Sequence, residues 1–169
     1  MRGYYLNVNT IIKISRQLKN QGRDVVFTHG CFDLMHAGHL HLLQASKKLG
    51  EVLVVGVESD ERIRKYKNPN GPIINENERI QLLIGNRAVD FVFLIKGKMP
   101  WADSYYLDLY KKINPMFITY GNTFGYKKRL ETRKAKLKGI NFVLIDELPL
   151  DIGSTSKIIN KVLNLPKNR

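Results

Sequence analysis

Two short runs, Val25-Val26-Phe27 and Val52 to Val57, constrain the fold more than any other feature of the chain. Neither alternates apolar with polar residues, as a strand with one wet face would. Runs of this length and β-branched content read as strands covered on both faces, the situation found in parallel sheets. Between them, Leu40, Leu42, Leu43, Ala45 and Leu49 recur at helical spacing and Gly50 closes the segment, so Gly38 to Leu49 reads as a helix. The first unit is therefore strand, helix, strand.

The same alternation continues along the chain. Thr10 is expected to cap a helix over Ile11 to Lys19, ended by Asn20-Gln21-Gly22. Ser59-Asp60-Glu61 opens a short charged helix to Tyr66, and Lys67-Asn68-Pro69-Asn70-Gly71-Pro72 is a loop by its density of breakers. Asn75 and Glu78 resemble a capping box for a helix reaching Gly85-Asn86. Asp90 to Ile95 and Met116 to Thr119 read as strands around a helix over Asp103 to Ile113. A basic helix, a strand over Asn141 to Ile145 and a terminal helix from Ser154 complete the series. With no repeat, low-complexity tract or linker, residues 1–169 read as a single domain. The expected fold is α/β: a doubly wound, Rossmann-like parallel sheet of about five strands with helices on both faces. In such sheets ligands bind beyond the carboxyl ends of the strands, where the strand order reverses.

Composition narrows the setting. At 43 % hydrophobic, 169 residues suffice for one core without a stabilising metal or disulfide, and the single Cys31 excludes an internal disulfide. No apolar leader follows Met1-Arg2 and no run is long enough to span a bilayer, so a cytoplasmic protein with no membrane contact is expected. The charge of +13 attracts anions of every kind without choosing among them. Lys127, Lys128, Arg129, Arg133, Lys134, Lys136 and Lys138 read as a solvated helix face. No aromatic residue interleaves them for base stacking, which disfavours nucleic acid as a partner. Trp101, Tyr105, Tyr106, Leu109 and Tyr110 read as a core-facing stripe, with a homodimer contact as the alternative.

The chemistry concentrates where the first strand enters its helix, in Thr28-His29-Gly30-Cys31-Phe32-Asp33-Leu34-Met35-His36-Ala37-Gly38-His39. Gly30 lets the chain turn and a ligand approach the backbone. The helix N-terminus near Gly38 directs free N–H groups and partial positive charge at that space. His36 and His39, three residues apart, can converge on one side of the turn. That combination suits a polyphosphate. Two such histidines could also begin a zinc site, but no cysteine or spaced carboxylate completes it, so no protein metal ligands are assigned. His29 can reach a ligand from beside Gly30. His41 reads as solvated or structural, and Cys31, lacking a base, as a small core residue. Asp33 has two readings, a turn residue tying the loop or a partner for an acceptor hydroxyl. Arg79 reads as a surface charge on its capped helix.

The stretch Gly30 to His39 resembles the signature of the cytidylyltransferase-like (HxGH) nucleotidyltransferases, and Gly153-Ser154-Thr155-Ser156-Lys157 resembles the second marker of that superfamily. From Ile12 through Asp90 the chain is most similar to the adenylyltransferase domain of ADP-heptose synthases. Val55 to Asp60, Arg64 to Lys67, Gly71-Pro72-Ile73 and Glu78-Arg79 carry that likeness. A more distant similarity is to glycerol-3-phosphate cytidylyltransferases. The resemblance implies that His36, His39 and Lys67 are catalytic. It places the nucleotide against Thr28, His29, Gly30, Cys31, Phe32, Gly38, Gly121, Asn122, Ser154, Thr155, Ser156 and Lys157, and the phosphorylated acceptor against Asp33, Lys65 and Arg79. It implies Mg²⁺ held mainly by substrate phosphates. Tyr120-Gly121-Asn122-Thr123 stands where ADP-heptose synthases carry a Lys-Gly-Gly-Asp-like segment, which leaves ATP against CTP and the acceptor open. The expected activity is transfer of NMP from an NTP to a sugar phosphate with release of pyrophosphate. The alternatives are a cytidylyltransferase for an alcohol phosphate and a non-catalytic nucleotide- or RNA-binding module.

Overall fold

The computed structural model describes residues 3–97, 103–122, 126–146, 148, 149 and 154–165, without the side chains of Asp103 and residues 126–129. The elements run β1 (Tyr4–Tyr5), α1 (Val8–Asn20), β2 (Val25–Gly30), α2 (Ala37–Lys47), β3 (Val52–Glu58), α3 (Asp60–Tyr66) and α4 (Glu76–Ile84). They continue β4 (Phe91–Ile95), α5 (Asp103–Ile113), β5 (Phe117–Gly121), α6 (Tyr126–Lys136), β6 (Asn141–Ile145) and α7 (Thr155–Leu163). The sheet order is β1-β4-β3-β2-β5-β6 and every neighbouring pair is parallel. The order reverses between β2 and β5, which sets the binding crevice beyond Gly30 and Gly121.

Six strands form where about five were expected. The extra one, β1, is two residues long and pairs with β4 at the sheet edge, too short to carry a periodic signal. The cap of α1 also differs. Asn7, not Thr10, is the N-cap: its Oδ1 accepts from the Thr10 backbone N–H at 2.9 Å, so the helix starts one turn earlier. Ser59, Asn75 and Ser154 cap α3, α4 and α7. At Asn75 the box differs in detail, since the Glu78 carboxylate accepts from the Asn75 side chain at 2.8 Å rather than from its backbone.

The continuous apolar runs have the expected cause. On one face Val25, Phe27, Val52, Val54 and Phe93 pack under Ile11 of α1, Tyr106, Leu109 and Tyr110 of α5 and Leu130 of α6. On the other, Val26, Leu53, Val55 and Val57 pack under Leu43 of α2 and Ile80 and Leu83 of α4. Successive residues alternate between two dry faces, so both sets are apolar. Tyr106, Leu109 and Tyr110 are thus core residues, while Trp101 lies outside the described residues.

Candidate functional site

The loop from β2 to α2 is held in a conformation that its own residues do not favour. Phe32 and Leu34 both have left-handed backbone, with φ of 53° and 44°. Non-glycine residues pay for such angles, and they persist where surroundings over-determine them, often at functional sites. Here the restraints come from four directions. The Asp33 carboxylate accepts from the backbone N–H groups of Ile73 and Ile74, each at 2.9 Å. The Asp33 carbonyl accepts from the Thr155 hydroxyl at 2.8 Å, drawing the start of α7 onto the loop. The Arg79 guanidinium donates to the Cys31 carbonyl, and the Lys67 ammonium lies 3.3 Å from the Cys31 sulfur.

On this loop the two histidines converge. His36 is the N-cap of α2, and its Nδ1 accepts from the Gly38 N–H at 3.1 Å, leaving its other nitrogen outside that bond. The His39 ring centroid lies 3.9 Å from that of His36, with the Phe32 ring 5.4 Å away on the other side. His39 Nδ1 is buried and has no hydrogen-bond partner among the described residues. A buried polar atom without a partner is uncommon, which singles this ring out within the loop. Burial, then the proximity of His36 and Lys67, holds the His39 imidazole down to about 4, and burial also lowers His36. Both rings are therefore neutral near pH 7. They face a helix N-terminus with Lys67 alongside, an arrangement of donors with little negative charge of its own.

Several expected contacts fall differently. Thr28 points into the protein, donating to the Thr119 carbonyl at 3.0 Å, so its hydroxyl does not reach the crevice. His29 faces the α5 side of the sheet, stacked on Tyr106 with centroids 4.6 Å apart and its Nε2 2.7 Å from the Tyr110 hydroxyl. A strand turns alternate residues to opposite faces, and this puts His29 opposite α2. Arg79 is not a surface charge. It is fully buried, and besides Cys31 it donates to Ile74 O, Glu58 O and Asp60 Oδ1, so it grips the loop instead of facing an acceptor. Of the two readings of Asp33, the loop-tying one accounts for both carboxylate oxygens. Lys65 is exposed, its ammonium 5.3 Å from the Tyr66 ring.

Gly30 ends β2 and Gly38 lies in the first turn of α2, both at the crevice. Gly121 ends β5. Asn122 donates its backbone N–H to Ile145 O and its side chain to Asp146 at 3.1 Å, tying the ends of β5 and β6 together. Ser154 caps α7 by accepting from Lys157 N at 3.3 Å, and Ser156 and Lys157 are exposed. Thr123 and Gly153 lie outside the described residues. Cys31 is buried, and burial raises its thiol, which opposes a nucleophilic role. His41 proves structural, with Nε2 3.1 Å from Asp146 O.

Sequence reasoning missed three buried charges beside the site: Glu58, Arg62 and Arg133. Arg62 Nε donates to Glu58 Oε2 at 2.7 Å with both side chains sealed from solvent. Arg133, read as part of a solvated basic face, lies among Tyr106, Tyr110 and Tyr120 and donates to the latter two hydroxyls. Its helical spacing from Leu130 and Leu137, both buried, was the available signal.

Known proteins carry the same arrangement of sequence. The cytidylyltransferase-like family model matches residues 27–161. The bifunctional protein HldE of Trichlorobacter lovleyi is 35 % identical over 162 residues, covering 93 % of this chain and 30 % of that protein. The bifunctional protein HldE of Sulfurimonas denitrificans is 37 % identical over 150 residues, covering 88 % of this chain and 29 % of that one. The chain thus spans about three tenths of the length of these curated relatives. The crystal structure of the lipopolysaccharide core biosynthesis protein from Thermoplasma volcanium GSS1 superposes with a TM-score of 0.60. At 30 % identity, that match covers 75 % of this chain and 99 % of the other. The match runs from β2 through α7 and takes in both the histidine pair and the Ser154 cap, so the chain belongs to the cytidylyltransferase-like family of nucleotidyltransferases.

Proposed function

We propose that the chain transfers NMP from an NTP to a sugar phosphate, as a heptose 1-phosphate adenylyltransferase does, with release of pyrophosphate. The observation that carries this reading is the convergence of His36 and His39 at the N-terminus of α2, where His39 Nδ1 is buried with no partner among the described residues. An acceptor phosphate oxygen attacks the α-phosphorus of the NTP, a new P–O bond forms, and the bond to the β-phosphate oxygen breaks. A phosphomonoester is mostly dianionic at neutral pH, its second pKa being about 6, so the attack needs no general base. It needs alignment and donors for the charge that builds on the phosphates. His36, His39, the free N–H groups of α2 and Lys67 supply these from one side. Ser154, Thr155, Ser156 and Lys157 are proposed to supply them from the other. The hydrogen bond from Thr155 to Asp33 O already draws those two sides together.

Gly121 and Asn122, at the carboxyl end of β5, are proposed to meet the base, and Lys65 is the exposed cation proposed for the acceptor. Asp33 and Arg79 serve the site by holding its loop. Mg²⁺ is expected to arrive with the triphosphate and to neutralise part of its charge. The residues named above are proposed to orient the phosphates that hold it. Among the described residues no helix is long and apolar enough to cross a membrane.

The test is pyrophosphate release with each NTP against a panel of sugar and polyol phosphates. Release with ATP and a sugar 1-phosphate supports the reading. Release only with CTP and glycerol 3-phosphate replaces it by the alcohol-phosphate alternative. No release with any pair, together with salt-sensitive RNA binding, replaces it by a binding module.

A further inference from the structure

On the face of the sheet away from α2, a set of polar side chains, buried apart from the half-buried His29, lies beneath the crevice and has no part in the transfer described above. Arg133 donates to the Tyr120 hydroxyl at 2.9 Å and to the Tyr110 hydroxyl at 3.2 Å. The two hydroxyls are hydrogen-bonded to each other, and Tyr110 is bonded in turn to His29 Nε2 at 2.7 Å. His29 Nδ1 lies 3.8 Å from Glu58 Oε1, which also accepts from the Tyr106 hydroxyl at 2.7 Å. Gly56 pairs with His29 across the strands, and a Cβ there would stand 2.8 Å from Ile95 Cδ1 and 3.2 Å from His29 Cβ and Phe27 Cε2, so the bare backbone makes room for this packing.

Donor and acceptor counts give this chain a direction. Arginine only donates, and each tyrosine has one hydrogen for the bonds that remain. In one arrangement Tyr120 donates to Tyr110 and Tyr110 to His29 Nε2, which leaves the His29 proton on Nδ1, facing the Glu58 carboxylate. In the reverse arrangement His29 Nε2 donates to Tyr110, and a bare Nδ1 lone pair faces Glu58 Oε1. The second sets two acceptors against each other 3.8 Å apart with no hydrogen between them, so the first prevails. Burial keeps His29 neutral throughout the working range, down to about 3.

The far end of the chain reaches the phosphate loop. Glu58 accepts at both ends: its carboxylate from Tyr106 and Arg62, its backbone carbonyl from Arg79 at 2.8 Å. Arg79 also holds the Cys31 carbonyl, next to the left-handed Phe32. His29 itself precedes Gly30 and Cys31 in sequence. A strained loop keeps its shape only while its supports do. We propose that Arg133, Tyr120, Tyr110 and His29 form a one-directional hydrogen-bond chain whose last ring, His29, turns its Nδ1–H toward the Glu58 carboxylate 3.8 Å away. In it Tyr110 and His29 are positioning residues that hold the phosphate-binding loop from the opposite face of the sheet.

The catalytic part of this inference rests on the nucleotidyl-transfer reading, so its test has two arms. In the first, long-range ¹H–¹⁵N spectra of the wild-type protein report the His29 tautomer. Nδ1–H is expected, and Tyr110→Phe shifts the His29 Nε2 resonance together with those of Phe32 and His39. An Nε2–H tautomer, or a Tyr110→Phe spectrum with Phe32 and His39 unmoved, overturns the proposal whether or not the protein turns over. In the second arm, Tyr110→Phe lowers kcat roughly tenfold with KM for the NTP nearly constant, the worth of one buried hydrogen bond. Tyr120→Phe has a smaller effect, and the double variant is no worse than Tyr110→Phe, since the chain is already broken there. Losses that multiply, or a kcat unchanged in Tyr110→Phe, overturn it. Wild-type protein inactive with every substrate pair would instead remove the nucleotidyl-transfer reading, and the first arm would still decide the chain.

Discussion

Histidines flank the carboxyl end of β2 on both faces of the sheet, and the two sets differ in how fully their polar atoms are matched. Toward α2, His36 and His39 crowd together with one buried nitrogen unpartnered among the described residues. Toward α5, His29 is stacked on Tyr106, hydrogen-bonded to Tyr110 and backed by the ion pair of Glu58 and Arg62. A satisfied buried network fixes shape; an unsatisfied one awaits a partner. The contrast can be broken by removing one member from each side. Arg62→Ala leaves the Glu58 carboxylate buried beside Tyr106 without its cation, which is expected to cost about 3–5 kcal/mol of stability. Denaturant unfolding measures it. A loss under about 1 kcal/mol would mean that water reaches Glu58 and that the α5 side is not the rigid one.

The matching change on the α2 side should have the opposite profile. His39→Ala removes a ring whose buried nitrogen bonds to nothing among the described residues, so folding is expected to survive. The rate of pyrophosphate release is expected to fall roughly a hundred- to a thousandfold, the usual cost of one transition-state donor. Near wild-type turnover in this variant would remove His39 from the chemistry and with it the assigned site.

The same contrast explains what could be read from sequence. The β2-α2-β3 unit was legible because a strand dry on both faces must be apolar at every position, and the His36–His39 pair because its chemistry is contiguous. Strand β1 was not legible, since two residues carry no period. Asn7 and Thr10 are both capping residues three apart; the structure makes the first the acceptor and the second a recipient. Lys67 meets Cys31 across 36 residues of chain, a contact that only the fold creates. Glu58, Arg62, Arg79 and Arg133 were misjudged or passed over for one reason: charge was equated with exposure, and these four charges are buried against one another's partners and against tyrosines.

Acid separates the two sides more gently. His29 and His39 are held down to about 3 and about 4, against 6.5 for a free imidazole. Below pH 6.5 the unfolded chain therefore binds protons that the folded chain refuses. Stability should be complete above that pH and decline as pH falls toward 4. Thermal melts across this range are expected to show a falling Tm. His39→Gln, which cannot titrate, should fall less steeply, the remaining slope belonging to His29 and His36. An identical slope in this variant would show that His39 accepts a proton in the folded state as easily as in the unfolded one.

The smallest expected effect lies where the two halves of the site meet. Helix α7 has no buried residue, so packing alone does little to hold its N-terminus over the loop. The Thr155 hydroxyl, donating to Asp33 O at 2.8 Å, ties it there. Thr155→Val keeps the shape and removes the donor, at about 1 kcal/mol. Because α7 stands outside both apolar clusters, that loss should appear mainly as a KM for the NTP raised roughly fivefold, with Tm almost unmoved. A Tm drop comparable to that of Arg62→Ala, with KM unchanged, would place α7 with the rigid scaffold instead. The proposed phosphate clamp would then be built already closed, and nucleotide binding would not need to draw its halves together.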